Sequence, residues 1–444
     1  MRVVLALALM ALLASGCMGF RPANVALEPE TGRPYTFQPA SRPGPVGDVY
    51  LYLAFSGGGT RAAAFAYGVL EELRDTQIGA SGEPRRLLDE VDAISGVSGG
   101  SFTAAYYGLF GERTFEDFEA RFLRKNVQGA LLLQALRPKN LLRLLTPYLN
   151  RSELAAQYYD RTLFDGATFG DLHAAAGPTI YINATDLSRG FRFTFVPGQF
   201  NLICSDLEAF PVSRAVAASS AVPVLLSPVT LQNFAGRCAF QAPEWMAQAL
   251  KSRTSDPRRY QAAQALASYM NAKERPYIHL VDGGISDNLG MRALLESVSA
   301  AGGVESASAY SRIALPDRIA VIIVDAETDP DPGIDLSAAA PSFAALMNSV
   351  SGSQIRRYNF ETLVLTDSAL RAWARELSTA ERRVKTHLID VSFDDFDDAG
   401  ERSYFKRLPT SFSLSDQQVE RLREAGRRLV RESEEFQALL RELQ

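Results

Sequence analysis

Histidine and cysteine are scarce in this chain of 444 residues, at three each. A Ser-His-Asp triad would have to draw on His173, His279 or His387, and no motif surrounds any of them. The lysine of a G-x-x-x-x-G-K-[ST] phosphate loop is absent from the glycine-rich turns, and G-x-G-x-x-G is not matched. Neither sign of charge dominates: 51 acidic against 46 basic residues leave a net charge of -5, which provides no basic field for nucleic acid. An EF-hand loop and any histidine/carboxylate cluster with metal spacing are also missing, so neither metal nor organic cofactor is expected. What the chain has in quantity is apolar residues, 47% of the total, enough for a large core without a mark of disorder.

The first residues, MRVVLALALMALLASGCMGF, place Arg2 ahead of an apolar run from Val3 to Leu13, then Ala14, Ser15 and Gly16 before Cys17. The run falls well below the ~20 residues needed to cross a bilayer and reads as a secretion signal over residues 1–16. Small residues before a cysteine resemble the lipobox of bacterial lipoproteins, with Ala14 standing where leucine is usual. That resemblance implies cleavage before Cys17, lipidation of Cys17, and a proline-dotted tether through residues 17–47. Met18, in place of aspartate, implies sorting to the outer membrane, facing the periplasm. If Cys17 carries lipid, Cys204 and Cys238 remain as an even pair in an oxidising compartment and are expected to form a disulfide.

From Asp48 onward, β-rich runs alternate with helical ones, the pattern of an α/β fold with a mostly parallel sheet flanked by helices. Strands are expected at Val49–Phe55, Val91–Ile94, Thr179–Ala184, Phe191–Val196, Tyr277–Val281, Ile319–Val324 and His387–Val391. Residues 48–330 form the expected catalytic domain, with a helical insertion at about 232–274. Residues 331–444 form an α/β extension packed on it, ending in a helix over Asp416–Leu443 with Val419, Leu422, Leu429, Phe436 and Leu440 on one face. The leucine-rich stretch Ala130–Leu149 fits either a membrane-facing lid or a core helix, and the core reading is preferred because apolar runs are usually buried.

Three short motifs carry chemistry. Gly96-Val97-Ser98-Gly99-Gly100 is a G-x-S-x-G placed where a strand gives way to a helix; Gly96 and Gly100 flank a serine on a bend that side chains would obstruct. Gly57, Gly58 and Gly59 lie between the first strand and first helix, where uncovered amides at a helix amino terminus can hold an oxyanion. Asp282, with Gly283 and Gly284, ends the strand Tyr277–Val281, at the crevice where an open α/β sheet takes its ligands. His279, three residues earlier on that strand, should face the opposite way.

Taken in order, these motifs resemble the patatin-like phospholipases, whose Ser/Asp dyad works without histidine. The similarity spans about Val49 to Ala326, and Ala215–Val229 looks like the segment before the D-G-G strand in bacterial members. The resemblance implies a three-layer α/β/α fold and a carboxylic ester hydrolase acting on membrane lipid. Ser98 would be the nucleophile, Asp282 its base, and Gly57 to Gly59 the oxyanion hole. Arg61 is a candidate head-group contact, though an arginine in a first helical turn serves equally to pair a carboxylate. The alternative is a catalytically silent lipid- or protein-binding lipoprotein scaffold on the same fold; no protein partner can be named.

Overall fold

The computed structural model describes residues 22, 24–29 and 49–444, apart from 80–83, 145, 147–148, 224, 312–314, 331 and 337. The signal segment, Cys17 and most of the tether lie outside the described residues.

Twelve strands are described: β1 (Val25–Ala26), β2 (Val49–Phe55), β3 (Gln77–Ile78), β4 (Arg85–Arg86), β5 (Val91–Val97), β6 (Thr179–Asp186), β7 (Phe191–Thr194), β8 (Ser205–Asp206), β9 (Val229–Gln232), β10 (Tyr277–Val281), β11 (Arg318–Asp325) and β12 (Lys385–Ser392). Eight form the central sheet in the order β12-β11-β2-β5-β6-β10-β9, with β7 also on β6. The pairs β11–β12, β11–β2, β2–β5 and β5–β6 are parallel, whereas β7 and β10 run antiparallel to β6 and β9 antiparallel to β10. The sheet is mixed, mostly parallel, and covered on both faces. β2 shows why: Leu51, Leu53 and Phe55 point into one core, and Tyr52 and Ala54 into a second. A strand buried on both faces reads as a continuous apolar run, as VYLYLAF does.

The first core lies beneath helices α1 (Thr60–Asp75), α2 (Gly99–Phe110) and α3 (Val212–Ser219); the second lies beneath α4 (Arg292–Ala301) and α5 (Phe343–Leu377). The carboxy-terminal extension is part of this body. Its strand β12 continues the sheet beside β11 over eight paired positions, and α6 (Asp416–Glu432) crosses α1 closely. A Cβ on Gly68 would sit 2.0 Å from the Arg423 carbonyl, and one on Gly426 2.3 Å from that of Phe65.

Three expectations need correction. The terminal helix is two helices, Asp416–Glu432 and Glu434–Leu443: Ser433 turns extended and its side chain accepts the Phe436 amide, capping the second. That break rotates the buried stripe onto Phe436, Leu439 and Leu443, leaving Leu440 half-buried. The leucine-rich stretch does not form a core helix. Leu133 and Leu142 are both 68% exposed, Leu132 and Leu136 are exposed as well, and among the described leucines of the stretch only Leu144 and Leu149 are buried, with Ala135, in a small satellite cluster. Finally, the tether is fixed where it is described. Asn24 Nδ2 donates to Ser205 Oγ and the Gln232 carbonyl, its Oδ1 accepts the Gln232 amide, and β1 pairs with β8.

The expected insertion carries helices Glu244–Ala249 and α-helix Pro257–Tyr269 between the antiparallel neighbours β9 and β10. Its return is anchored by Tyr269 Oη donating to Asp186 at 2.9 Å and by an Arg275–Asp186 ion pair. Its departure is anchored by a Cys204–Cys238 disulfide with Cα atoms 5.6 Å apart. The bridge closes a loop of 34 residues, and Cys204→Ser/Cys238→Ser is expected to lose ~2–4 kcal/mol of unfolding free energy. Urea midpoints of the oxidised wild type and the double variant measure this; equal midpoints would refute it.

Candidate active site

The site forms where two strands meet head to head. β5 pairs with β6 up to Val97 opposite Asn183, and β10 pairs with β6 at Thr185 and Asp186. β7 occupies the other edge of β6 over both stretches, Asn183 to Asp186. β5 and β10 therefore share one edge of β6 and run toward each other. Each must turn out of the sheet at the collision, and the residues at the two turns are Ser98 and Asp282. Asp282 does not lie at the carboxyl end of a parallel strand: β10 is antiparallel to β6 and reaches the level of Ser98 by descending toward β5.

Ser98 takes φ 48°, a positive value for a residue with a side chain, and caps the amino terminus of α2. Such a bend costs of order 1–3 kcal/mol and persists only where its surroundings fix it. Here they do. The Ser98 amide donates to Ser219 Oγ at 2.8 Å, Ser219 Oγ donates to the Asn183 carbonyl at 2.6 Å, and Ser101 donates its amide and hydroxyl to the Ser98 carbonyl. The opposing turn is tied to the carboxyl end of α3, which also supplies Ser219: the Asp282 amide donates to the Ala221 carbonyl and that of Gly283 to the Ser219 carbonyl. Glycine is required at these contacts. A Cβ on Gly96 would lie 2.6 Å from Ser101 Cα, on Gly99 2.0 Å from the Gly59 carbonyl, on Gly100 2.5 Å from that of Phe55, and on Gly283 2.3 Å from that of Asn183.

The glycine turn packs directly against this elbow. A Cβ on Gly57 would be 3.5 Å from Ser98 Cβ, but the Gly57 amide already donates to the Asn288 carbonyl. That removes Gly57 as an oxyanion donor. Gly58 and Gly59 have φ of 147° and 61°, and their amides donate to no described backbone carbonyl, so these two remain free to face an anion.

Asp282 is buried, and burial pushes its carboxyl up to about 6; the Gly284 amide, donating to Oδ1 at 2.8 Å, and the neighbouring Ser98 hydroxyl draw it partly back. Asp282 Oδ2 is buried and accepts no hydrogen bond from a described residue. The Ser98 hydroxyl is therefore not aligned on it, as is common for catalytic pairs before substrate tightens them.

Arg61 does not reach a head group. Only 2% exposed, it donates to the Ala326 carbonyl (2.9 Å), the Leu408 carbonyl (2.7 Å) and Thr410 Oγ1 (3.0 Å). Burial lowers its pKa to about 10, with Asp325 opposing. Its role is to clamp the glycine turn to the carboxy-terminal extension, whose Ser411 carbonyl also accepts the Thr60 amide.

None of the histidines enters the site. His279 is exposed and pairs with Thr230 Oγ1, His173 with Glu208, and buried His387 with Glu435. Among the described residues no cluster of His, Cys, Asp and Glu could hold a metal, and no helix is long and apolar enough to cross a membrane.

A family model, "Patatin-like phospholipase", matches residues 53–295, more than half of the chain and all three motifs. The chain belongs to the patatin-like phospholipase family. No curated protein matches this patatin-like chain in sequence. Solved structures that match include human GIVD cytosolic phospholipase A2, 15% identical with a TM-score of 0.45, over 89% of this chain and 60% of that one. The same human enzyme in complex with methyl gamma-linolenyl fluorophosphonate matches at 15% identity and a TM-score of 0.41, over 90% of this chain and 59% of that one. The patatin-like chain thus spans about 60% of the length of these structures.

Sequence reasoning missed Ser219, Asn183 and Asn288. Ser219 lies within the Ala215–Val229 stretch that resembles the family, but nothing in SSAVP marks which hydroxyl takes the Ser98 amide. Asn288 Oδ1 lies 2.6 Å from a Gly57 Cβ position and 3.0 Å from one on Gly284, wedged between the oxyanion turn and the D-G-G loop; its only sequence signal is the polar run ISDN. Asp287 is a second buried carboxyl pushed up to about 6 by desolvation, with Arg192 opposing.

Arg61→Met would strand two buried carbonyls and a hydroxyl. It is expected to cost at least ~3 kcal/mol of stability, since hydrogen bonds to a charged donor contribute ~1.5–3 kcal/mol each. A urea midpoint unchanged from wild type would contradict the clamp.

Proposed function

We propose that this protein is a serine-dependent lipid acyl hydrolase, of the phospholipase A or lysophospholipase type, working through a Ser98/Asp282 dyad. The observation that carries the reading is the head-to-head meeting of β5 and β10, which brings the strained Ser98 elbow against a buried Asp282 and two unpartnered glycine amides. Membership of the patatin-like family supports ester hydrolysis as the reaction.

In this mechanism the Ser98 hydroxyl attacks the ester carbonyl while Asp282 takes its proton. The amides of Gly58 and Gly59 receive the oxyanion, an interaction worth ~3–4 kcal/mol per donor in serine hydrolases. Collapse of the tetrahedral species expels the alcohol, which leaves with the proton held by Asp282, and an acyl-enzyme remains on Ser98. Water then attacks, Asp282 accepts its proton, and the fatty acid is released as Ser98 regains a proton. A carboxylate with the ordinary pKa would be a poor base; raising it toward 6 by burial strengthens it while leaving it ionised at neutral pH. The strained serine and the free amides have no use in a silent scaffold, which favours the enzyme.

We further infer that the chain is a bacterial lipoprotein anchored through Cys17 at the outer membrane, on the strength of its amino-terminal sequence. An amino-terminal peptide lacking a diacylglyceryl-cysteine in mass spectra of membrane-extracted protein would refute that anchor.

A fluorophosphonate probe is expected to label the wild type and leave Ser98→Ala unlabelled; a folded wild type that resists labelling would rule out the nucleophile. Asp282→Asn should lower kcat/KM by ~10²–10⁴-fold, the range for loss of a positioned general base. Because only ionised Asp282 can accept the proton, kcat/KM should rise with pH through an apparent pKa of about 6. A profile flat through that pH would assign the proton to another group.

A further inference from the structure

One cavity of the molecule is distinct from the catalytic cleft. It has a volume of about 610 Å³, and neither Ser98 nor Asp282 lines it. It lies under the second face of the sheet, where α4, α5 and the insertion helix Pro257–Tyr269 stand off the strands. Its floor holds Tyr50, Tyr181 and Ile319, near the amino ends of β2, β6 and β11, whereas Ser98 follows the carboxyl end of β5. From that floor the lining extends to Ser286, whose hydroxyl bonds Thr185 Oγ1, the donor to the Asp282 carbonyl, so the two sites adjoin at that loop without sharing Ser98 or Asp282. Helix α5, which closes one side with Leu365, Trp373 and Leu377, lies beyond the matched residues 53–295, so that wall is supplied from outside the family match.

Its lining combines an apolar wall with a charge excess. Leu295, Val298, Ile319 and Trp373 supply apolar surface, and the charged residues are Arg189, Arg192, Arg258 and Arg292 against the single carboxylate Glu296. Glu296 is taken by Arg192 at 2.7 Å. Arg189 and Arg258 are exposed and make no ion pair with a described residue. Arg292 donates only to Thr362 Oγ1 from its side chain and stacks on Tyr358. Arg192 Nε is buried without a partner. Arg192 and Arg292 also face the buried Asp287 carboxyl, so the guanidiniums left without a carboxylate are Arg189 and Arg258 at the rim, and such a pair beside an apolar hollow favours a ligand with one anionic head and a hydrocarbon body. The volume falls within the ~300–1,000 Å³ of small-molecule sites.

We propose that this cavity is a second ligand site, separate from the catalytic cleft, that binds a single-chain anionic amphiphile of the long-chain fatty acid class. The hydrocarbon lies against Leu295, Val298 and Trp373, and the carboxylate meets the arginines at the rim. Binding there does not depend on turnover at Ser98, so the site stands whether or not the hydrolase reading does.

The chain has two tryptophans, Trp373 in the cavity wall and Trp245 on the helix Glu244–Ala249, which gives a local readout. 9,10-Dibromostearate, whose bromines quench indole emission at contact range, is titrated below its micellar range into the full chain, Trp245→Phe and Trp373→Phe. Saturable quenching is expected in the wild type and Trp245→Phe, and its loss in Trp373→Phe. Arg189→Glu/Arg258→Glu, which changes only exposed side chains, should weaken it at least tenfold. Absence of saturable quenching in the wild type overturns the proposal. So does quenching confined to Trp245, or affinity unchanged by the charge reversals.

Discussion

One edge of β6 carries two strands, and the rest of the site depends on that sharing. β5 climbs it and β10 descends it, so neither can continue past the level of Asn183 to Thr185. Backbone paired on a sheet edge is rigid, and two chains forced out of the same edge at the same height leave side chains a short distance apart with little freedom to separate. The strained geometry of Ser98 is a product of this encounter, held by Ser219 and by glycines whose replacement would drive a Cβ into backbone atoms at 2.0 to 2.6 Å. Ser98 and Asp282 are therefore positioned by main-chain pairing, the stiffest element available, with side-chain packing as a secondary support.

The carboxy-terminal extension serves the same turn from the other side. Arg61 and the Ser411 carbonyl join the glycine turn to residues 408–411, and α6 lies against α1 at paired glycines. The Gly58 and Gly59 amides, proposed above as oxyanion donors, are thus clamped between the elbow and a segment more than a hundred residues beyond the end of the family match at residue 295. Fixing those amides in advance means that they need not reorganise as negative charge develops, which is what gives an oxyanion hole its effect.

The main strands and the three glycine motifs were legible in the sequence because each rests on local chemistry: alternation or apolar runs for strands, consecutive glycines for close approach. Val49–Phe55 and Tyr277–Val281 fall where the pattern put them. The antiparallel direction of β10 was not legible, since direction belongs to the connection and not to the residues of the strand. Arg61 was ambiguous for a related reason: its partners Ala326, Leu408 and Thr410 are backbone and hydroxyl groups hundreds of residues away. The leucines of Ala130–Leu149 misled because burial depends on whether a partner surface arrives, and for Leu132, Leu133, Leu136 and Leu142 none does.

Asn24 is stitched to Ser205 and Gln232, only seven positions after Cys17 in the sequence. Seven extended residues reach ~25 Å at most. With a lipid on Cys17, the body would ride against the bilayer surface like a boat on a short mooring line, unable to swing out to meet vesicles or a facing membrane. Its diet would be set by geography as much as by pocket shape: the lipids of the leaflet to which it is moored.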